Sequence, residues 1–373
     1  MTAHDTDGVL DRVALNRALL ARQLLLERSP MGAADALEHL VGMQAQAPEP
    51  PYTGLWTRLA AFRPEELSEL LESRAAVRLV LMRSTLHLVT ARDCLRLRPV
   101  LHGSLARSLT STFGRKVAGL DLAEVAARGR ALVEKEPLTL GRLGTQLAEH
   151  WPDRDAFALA NAVRALVPLV QTPPRGLWGR GGQAVHTTAE AWLNHPLEAD
   201  DTPDHMVLRH LAAFGPATVK DVQTWSGMTG LAAVVRRLGP RLRTFRDENG
   251  AVLYDLPDAP RPDPGTPAPV RFLPEFDNIL LSHADRSRIL TVEQRARVLT
   301  RNGLVRSTFL VDGFVRGLWR IEREADAAHL VLEPFSPVDR ARRRELTEEG
   351  MRLLAFAAAD RTPAGVRFGP AAA

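Results

Sequence analysis

The 373-residue sequence has a single cysteine, Cys94, and only three lysines among its 48 basic residues. One cysteine excludes intrachain disulfides, cysteine-based zinc sites and iron–sulfur clusters. No stretch approaches the ~20 consecutive apolar residues of a membrane-spanning helix, and the acidic, polar start lacks the apolar core of a signal peptide. We therefore expect a cytoplasmic protein that does not contact membranes.

Several common catalytic motifs are also missing. The sequence has no glycine-rich loop ending in Gly-Lys-Ser/Thr and no Gly-x-Ser-x-Gly element. Its histidines lack the spacing of a helical metal pair. The glycines of residues 179–182 follow a proline pair rather than a strand-to-helix turn, which favours a hairpin tip over a phosphate-binding loop. We expect neither a metal nor an organic cofactor.

Composition is that of a folded globular protein, with 45% hydrophobic and 25% charged residues. The length corresponds to about two to four domains. The formal charge of +4 permits a nucleic-acid partner without requiring one.

Three times along the chain, helical segments precede a strand pair or a hairpin, which is typical of winged-helix modules. In the first module, the prolines of residues 48–51 predict a break before a helix over 52–61. A proline-rich linker over 258–269 leads to a β-rich region. We predict an α+β, mainly helical fold with these units: three winged helices over 9–100, 120–195 and 203–257, a β-rich domain over 268–338 and a closing helix over 340–360.

The most unusual local feature is Gln44-Ala45-Gln46, directly before the proline run. If the segment is extended, residues i and i+2 point to one side, and both amides project into a common cleft. The alternative is that the glutamines cap the preceding helix or lie in solvent.

A basic surface is predicted on the third module. An exposed recognition helix and the strand after it would carry five arginines: Arg236, Arg237, Arg241, Arg243 and Arg246. Such a surface fits binding to the backbone of duplex DNA. A solvated surface rich in arginine because of a GC-rich genome is an equally open alternative.

Residues 41–48, followed by Leu55 and Trp56, resemble the Gln-aliphatic-Gln motif of winged-helix DNA glycosylases of the AlkZ type. Segments 81–87, 272–277 and 310–320 resemble the same family, so the resemblance covers nearly the whole chain. A sister branch has Asp at the second motif position. The Gln branch is tied to self-resistance in Streptomyces producers of alkylating antibiotics such as azinomycin B.

The resemblance implies three tandem winged helices and a C-terminal β-barrel, arranged as a C-shaped clamp. It implies Gln44 and Gln46 as the catalytic pair for excision of N7-alkylpurines and unhooking of interstrand crosslinks. The partner would be double-stranded DNA with bulky N7-alkylguanine adducts or crosslinks, and the protein would be a nucleoid-associated monomer. The alternative is a non-catalytic winged-helix transcriptional regulator.

An amide is not a useful general base, but the carbonyl oxygens of two glutamines can hold a water near C1′ and face an oxocarbenium-like sugar. An N7-alkylguanine is already cationic and leaves as a neutral base, so weak catalysis can suffice. No lysine occurs before Lys116, which predicts a monofunctional enzyme without the amine nucleophile of a lyase.

Further candidates lie in the segments that resemble the family. Arg83, Thr85 and His87 alternate, so all three would face the damaged strand if residues 82–88 are extended. His87 is equally well interpreted as a satisfied polar residue on a half-buried strand. For Asp277, a structural role in the turn is favoured over a catalytic one.

Overall fold

The computed structural model describes residues 8–370, and the fold is a mixture of α and β elements. Its helices are α1 Arg12–Arg22, α2 Ala33–His39, α3 Pro50–Trp56, α4 Pro64–Glu72, α5 Ala91–Val117, α6 Leu122–Lys135, α7 Leu140–Ala148, α8 Ala156–Leu166, α9 Ala189–Leu193, α10 Asp204–Phe214, α11 Val219–Ser226, α12 Ala232–Leu238, α13 Val292–Val298 and α14 Arg340–Ala357. Among these described helices, none is long and apolar enough to cross a lipid bilayer.

The strands form three sheets. They are β1 Val9–Leu10, β2 Met43–Gln44, β3 Ala76–Val80, β4 Leu86–Thr90, β5 Leu138–Thr139, β6 Leu169–Gln171, β7 Val185–Thr188, β8 Arg243–Asp247, β9 Val252–Asp255, β10 Arg271–Leu273, β11 Thr308–Val311, β12 Phe314–Arg323, β13 Ala327–Pro334 and β14 Thr362–Phe368.

A six-stranded sheet with the order β2-β4-β3-β6-β7-β5 joins the first two helical units. The link is antiparallel pairing between β3 and β6, where Arg78 lies opposite Gln171. Strand β2 lies at one edge of this sheet. The glutamine motif is therefore attached to a continuous sheet rather than to a loop.

Helix α5 bridges the same two units and had no counterpart among the predicted elements. It runs for 27 residues through Pro99, and Thr90 caps its first turn by accepting a hydrogen bond from the Asp93 amide. Along it, buried leucines recur every four residues; the first two belong to one hydrophobic core and the last to another. They are Leu97, Leu101, Leu105 and Leu109.

Helix α3 corrects the expectation that residues 48–51 break the helix before residue 52. The helix begins at Pro50 and ends at Trp56. Proline is tolerated in the first helical turn, because the N–H groups there have no intrahelical partner in any case. The proline run therefore starts this helix directly after the motif.

The third unit contains α10–α12 and the β8–β9 hairpin, which turns at Asn249-Gly250, a dipeptide typical of tight hairpins. Strand β1, from the start of the chain, pairs in parallel with β8 and covers that edge of the hairpin. This pairing could not be predicted, because two residues are too few for a periodic pattern.

The C-terminal sheet has the open order β10-β11-β12-β13-β14, so the expectation of a barrel-like domain is wrong for the described residues. Helix α14 packs on the sheet instead, and its Leu346, Leu353 and Leu354 join a core with Phe272 and Leu330. A helix that buries the apolar face of a sheet removes the need for closure.

Candidate active site

The glutamine motif begins on the edge strand β2, beside β4, and continues past its end. Met43 pairs with Leu88 and Gln44 with His87, and the Ala45 amide donates to the Leu86 carbonyl at 2.8 Å. The chain enters this strand through Gly42, whose φ is +81°, and a Cβ there would lie 2.8 Å from the Leu88 carbonyl oxygen. Glycine is therefore required for the close approach of the motif to β4.

Gln44 is buried, and its side-chain oxygen accepts a hydrogen bond from Arg83 Nη2 at 2.8 Å. Because arginine can only donate, the orientation of this amide is fixed, with its NH₂ group away from Arg83. Arg83 Nη1 also donates to the Trp225 carbonyl at the end of α11. The guanidinium thus connects the motif with the third helical unit.

The turn that contains Arg83 differs from the extended conformation considered for residues 82–88. Residues Met82–Ser84 form a 3-10 turn, in which Arg83 has a φ of +54° and Ser84 of +58°. Gly227 packs against it so closely that a Cβ would lie 3.0 Å from the Arg83 backbone. Strained residues of this kind persist only where the surrounding packing fixes them.

Gln46 is exposed, and its side-chain oxygen accepts a hydrogen bond from the Leu86 amide at 3.1 Å. The side chain takes the place of a backbone carbonyl and extends the pairing of the edge strand by one step. Its NH₂ group and the second lone pair of its oxygen remain available to a ligand. Of the two glutamines, Gln46 is the one that solvent reaches.

His87 is 2% exposed and lies opposite Gln44. Burial, with the nearby positive charge of Arg83, lowers the pKa of His87 to about 3, so the ring is neutral near pH 7. Its Nδ1 lies 2.9 Å from the Thr85 carbonyl oxygen, which places the proton of the neutral ring on Nδ1. Thr85 itself donates through Oγ1 to the Met82 carbonyl.

Two side chains from the segment after β10 contact the region around the motif. Asn278 Nδ2 donates to the Gly42 carbonyl at 2.8 Å. Asp277 accepts two hydrogen bonds of 2.8 Å from Arg58, and both side chains are fully buried. Both Asp277 oxygens are therefore engaged in an ion pair that docks this segment against α3.

Comparison with known proteins identifies the family. The profile of the family described as "DNA glycosylase AlkZ-like" matches residues 37–356. The chain belongs to this AlkZ-like family. It is also 24% identical over 374 aligned residues to the "Interstrand DNA cross-link repair glycosylase" of Streptomyces sahachiroi, covering 92% of this chain and 96% of the relative.

The fold is similar to that of a solved member of the family. The structure of Streptomyces sahachiroi DNA glycosylase AlkZ superposes with a TM-score of 0.77 at 20% identity, covering 96% of this chain and 99% of that one. The shared fold therefore extends over all the units of the AlkZ-like chain described above, including the C-terminal sheet.

The five arginines predicted to contact DNA are all exposed in the third unit of this AlkZ-like protein. Arg236 and Arg237 lie on α12, Arg243 and Arg246 on β8, and Arg241 in the 3-10 turn between them rather than on the strand. Arg237 is paired with Asp204, and Arg246 donates to the Gly250 carbonyl.

A groove of about 920 Å³ begins three residues beyond Gln46, at Glu49, and continues along Thr53, Trp178 and Trp319. Burial and the neighbouring Glu49 raise the pKa of Glu275 at its wall. Within residues 8–370, no group of three or more His, Cys, Asp or Glu side chains is arranged to bind a metal ion.

One supporting residue of the site was missed by sequence reasoning. Arg78 lies on β3 and donates from Nη2 to the Ala45 carbonyl, between the two glutamines. The sequence did contain a signal, an arginine inside the run of β-forming apolar residues 77–82. A buried charge is unfavourable there unless it makes a specific contact.

Proposed function

We propose that this AlkZ-like protein is a monofunctional DNA glycosylase that hydrolyses the N-glycosidic bond of N7-alkylpurines and unhooks interstrand crosslinks in duplex DNA. The observation that carries the proposal is the arrangement of the two glutamines: Gln44, at the end of the edge strand β2, is fixed by Arg83, and Gln46, just beyond the strand, is solvent-accessible. Membership of the family and the described activity of the Streptomyces sahachiroi relative support it.

In the proposed reaction, the C1′–N9 bond breaks and its electron pair moves to the cationic N7-alkylpurine, which leaves as a neutral base. A water molecule then bonds to C1′ and loses a proton to solvent. Gln46 holds this water through the free lone pair of its carbonyl oxygen. No general acid is required, which agrees with the neutral state that burial imposes on His87.

Gln44 has a different part in this mechanism from that of Gln46. Its oxygen already accepts from a guanidinium and is therefore a poor partner for a cationic sugar. Its NH₂ group is free to donate to the sugar or phosphate of the damaged nucleotide. We therefore assign water positioning to Gln46 and substrate positioning to Gln44.

DNA binding completes the proposal. The three helical units would act as winged helices on the duplex, with Arg236, Arg237, Arg241, Arg243 and Arg246 on the phosphate backbone. The protein would act as a monomer. Its role would be self-resistance to an alkylating antibiotic. Family membership does not favour the alternative of a non-catalytic regulator.

The test is excision of N7-methylguanine from an end-labelled duplex, detected by alkaline cleavage of the abasic product on a denaturing gel. Wild type should release the base, Gln46→Ala should lose roughly 100-fold in single-turnover rate, and Gln44→Ala somewhat less. Gln146→Ala, a half-buried glutamine on α7, is the matched control and should retain the wild-type rate.

Two further assays distinguish the proposed glycosylase from the alternatives. A crosslinked duplex should be unhooked by wild type, and borohydride should trap no enzyme–DNA adduct, because the proposed nucleophile is water. Excision that is unimpaired in both glutamine variants would move the active site elsewhere. Absence of excision on both substrates would refute the glycosylase and leave the regulator.

A further inference from the structure

The guanidinium of Arg78 is buried directly behind the glutamine motif without an acidic partner. The residue is 2% exposed, and Nη2 donates to the Ala45 carbonyl at 2.8 Å. Nε and Nη1 are buried and have no hydrogen-bond partner. Within the described residues, no carboxylate forms an ion pair with it.

The free-energy cost of burying this guanidinium indicates that Arg78 has a role other than stabilising the fold. Burial of an unpaired cation is strongly unfavourable, and an apolar side chain of similar length would fill the same space without that cost. Burial lowers the pKa of Arg78 to about 10, which leaves it charged at neutral pH. A residue selected for stability alone would not be an arginine here.

The packing around Arg78 holds the guanidinium in one place. A Cβ on Gly176, in the loop between β6 and β7, would lie 3.1 Å from both Cδ and Nη1 of Arg78. Tyr52 donates through its hydroxyl to the Gly176 carbonyl at 2.8 Å and fixes this loop. Arg78 is therefore clamped between the loop and the Ala45 carbonyl.

The motif depends on this contact because β2 is a two-residue edge strand. Beyond Gln44, its attachments to β4 are the hydrogen bond from the Ala45 amide and that from the Leu86 amide to Gln46. Arg78 fixes the carbonyl of Ala45, the residue between the glutamines. Loss of that bond would let Gln46 shift relative to C1′ of a bound nucleotide.

We propose that Arg78 is a positioning residue of the glycosylase site, whose hydrogen bond to Ala45 holds Gln44 and Gln46 in register against β4. The inference rests on the proposed function, because it assigns Arg78 to the same site. It also predicts a property that does not depend on catalysis, namely slow exchange of the Ala45 and Leu86 amide protons.

The experiment compares wild type with Arg78→Met and Arg78→Lys. For Arg78→Met we expect an unchanged or higher melting temperature, duplex affinity within twofold of wild type, and a single-turnover excision rate reduced by roughly 10- to 100-fold. Arg78→Lys keeps a donor that can reach Ala45 and should recover part of the rate. The amide protons of Ala45 and Leu86 should exchange faster in Arg78→Met.

Arg98→Met is the matched control. Arg98 is equally buried and also donates to a backbone carbonyl, that of Ala165 at 2.7 Å, but it lies on α5 away from the motif. This variant should keep the wild-type excision rate. It reports the general effect of removing a buried guanidinium.

Three outcomes would overturn the inference. They are a wild-type rate in Arg78→Met, a parallel fall of melting temperature and rate in both Arg78 variants, and unchanged exchange of the two amides. If wild type itself excises nothing, the proposed function fails. The amide exchange then still decides whether Arg78 holds the motif.

Discussion

The buried ion pair between Arg58 and Asp277 should be among the most sensitive points of the fold. Arg58 lies just after α3, and Asp277 belongs to the C-terminal segment that follows β10. Both side chains have no exposed surface, and two hydrogen bonds of 2.8 Å join them. We expect Asp277→Ala to destabilise the protein strongly, because it leaves a buried guanidinium without its counter-ion.

The magnitude follows from the geometry. Breaking a fully buried pair by removal of one partner costs about 3–5 kcal/mol of unfolding free energy. The variant also loses the hydrogen bond that the Ile279 amide donates to Asp277, worth about 1 kcal/mol. Arg58 keeps one contact, from Nη1 to the Gly54 carbonyl at 3.0 Å, which offsets little of the loss.

Urea unfolding followed by tryptophan fluorescence measures the effect. A total loss of about 4–6 kcal/mol should lower the midpoint by roughly 1–2 M. The double variant Arg58→Met/Asp277→Leu removes both charges and should be more stable than Asp277→Ala alone. A midpoint shift below about 0.3 M for Asp277→Ala, or a double variant that loses the sum of both single effects, would refute this reasoning.

Two further predictions concern pH and salt. Burial lowers the pKa of His186 and His210 to about 4 and that of His87 to about 3, so the unfolded chain takes up these protons first. The free energy of unfolding should therefore be highest above pH 6.5. Below that pH it should fall by up to ~1.4 kcal/mol per pH unit for each histidine. A urea midpoint that stays constant between pH 7 and 5 would contradict this. Arg236→Ala and Arg241→Ala should each reduce the slope of log K against log salt for duplex binding by about 0.9, and an unchanged slope would remove that residue from the DNA interface.

Local signals in the sequence predicted the elements that depend on neighbouring residues. Thr139 and Asp155 are of residue types that favour helix N-caps, and they cap α7 and α8. Each side chain accepts a hydrogen bond from an amide three residues on. The dipeptide Asp312-Gly313 is typical of tight hairpins, and it forms such a turn with both residues in the left-handed region. Caps and tight turns are decided within a few residues, which is why these predictions succeed.

Elements that depend on distant partners could not be predicted. Strand β14, which was not predicted, pairs with the edge that β13 offers. Helix α14 lies within the predicted closing helix, but its packing on the face of an open sheet was not predicted. Helix α5 continues through Pro99, because the stabilisation from packing against two cores exceeds the loss of one helical hydrogen bond. Tertiary contacts override local preference in each case.

The two glutamines of the candidate site were predicted from the sequence, but the contacts that orient their side chains were not. The spacing allowed Gln44 and Gln46 to project together, and the family resemblance selected them as a pair. In the structure Gln44 ends the edge strand β2, and Gln46 follows it and accepts a hydrogen bond from the Leu86 amide of β4. The partners that orient them, Arg83 and Arg78, come from other segments through long side chains. No periodic pattern in the sequence encodes such contacts.

The arginines around the motif constrain the proposed chemistry. Arg83 contacts Gln44, Arg78 contacts Ala45, and His87 remains neutral, so the described surroundings of the motif place positive charge behind the glutamines. Positive charge opposes an oxocarbenium ion, so on the proposed mechanism the site would be a poor catalyst for a neutral purine. For a cationic N7-alkylpurine the balance differs, because departure of the base neutralises the leaving group without help from the protein. On the proposed mechanism, the charge carried by the lesion replaces the carboxylate that the motif lacks, and undamaged DNA is spared for the same reason.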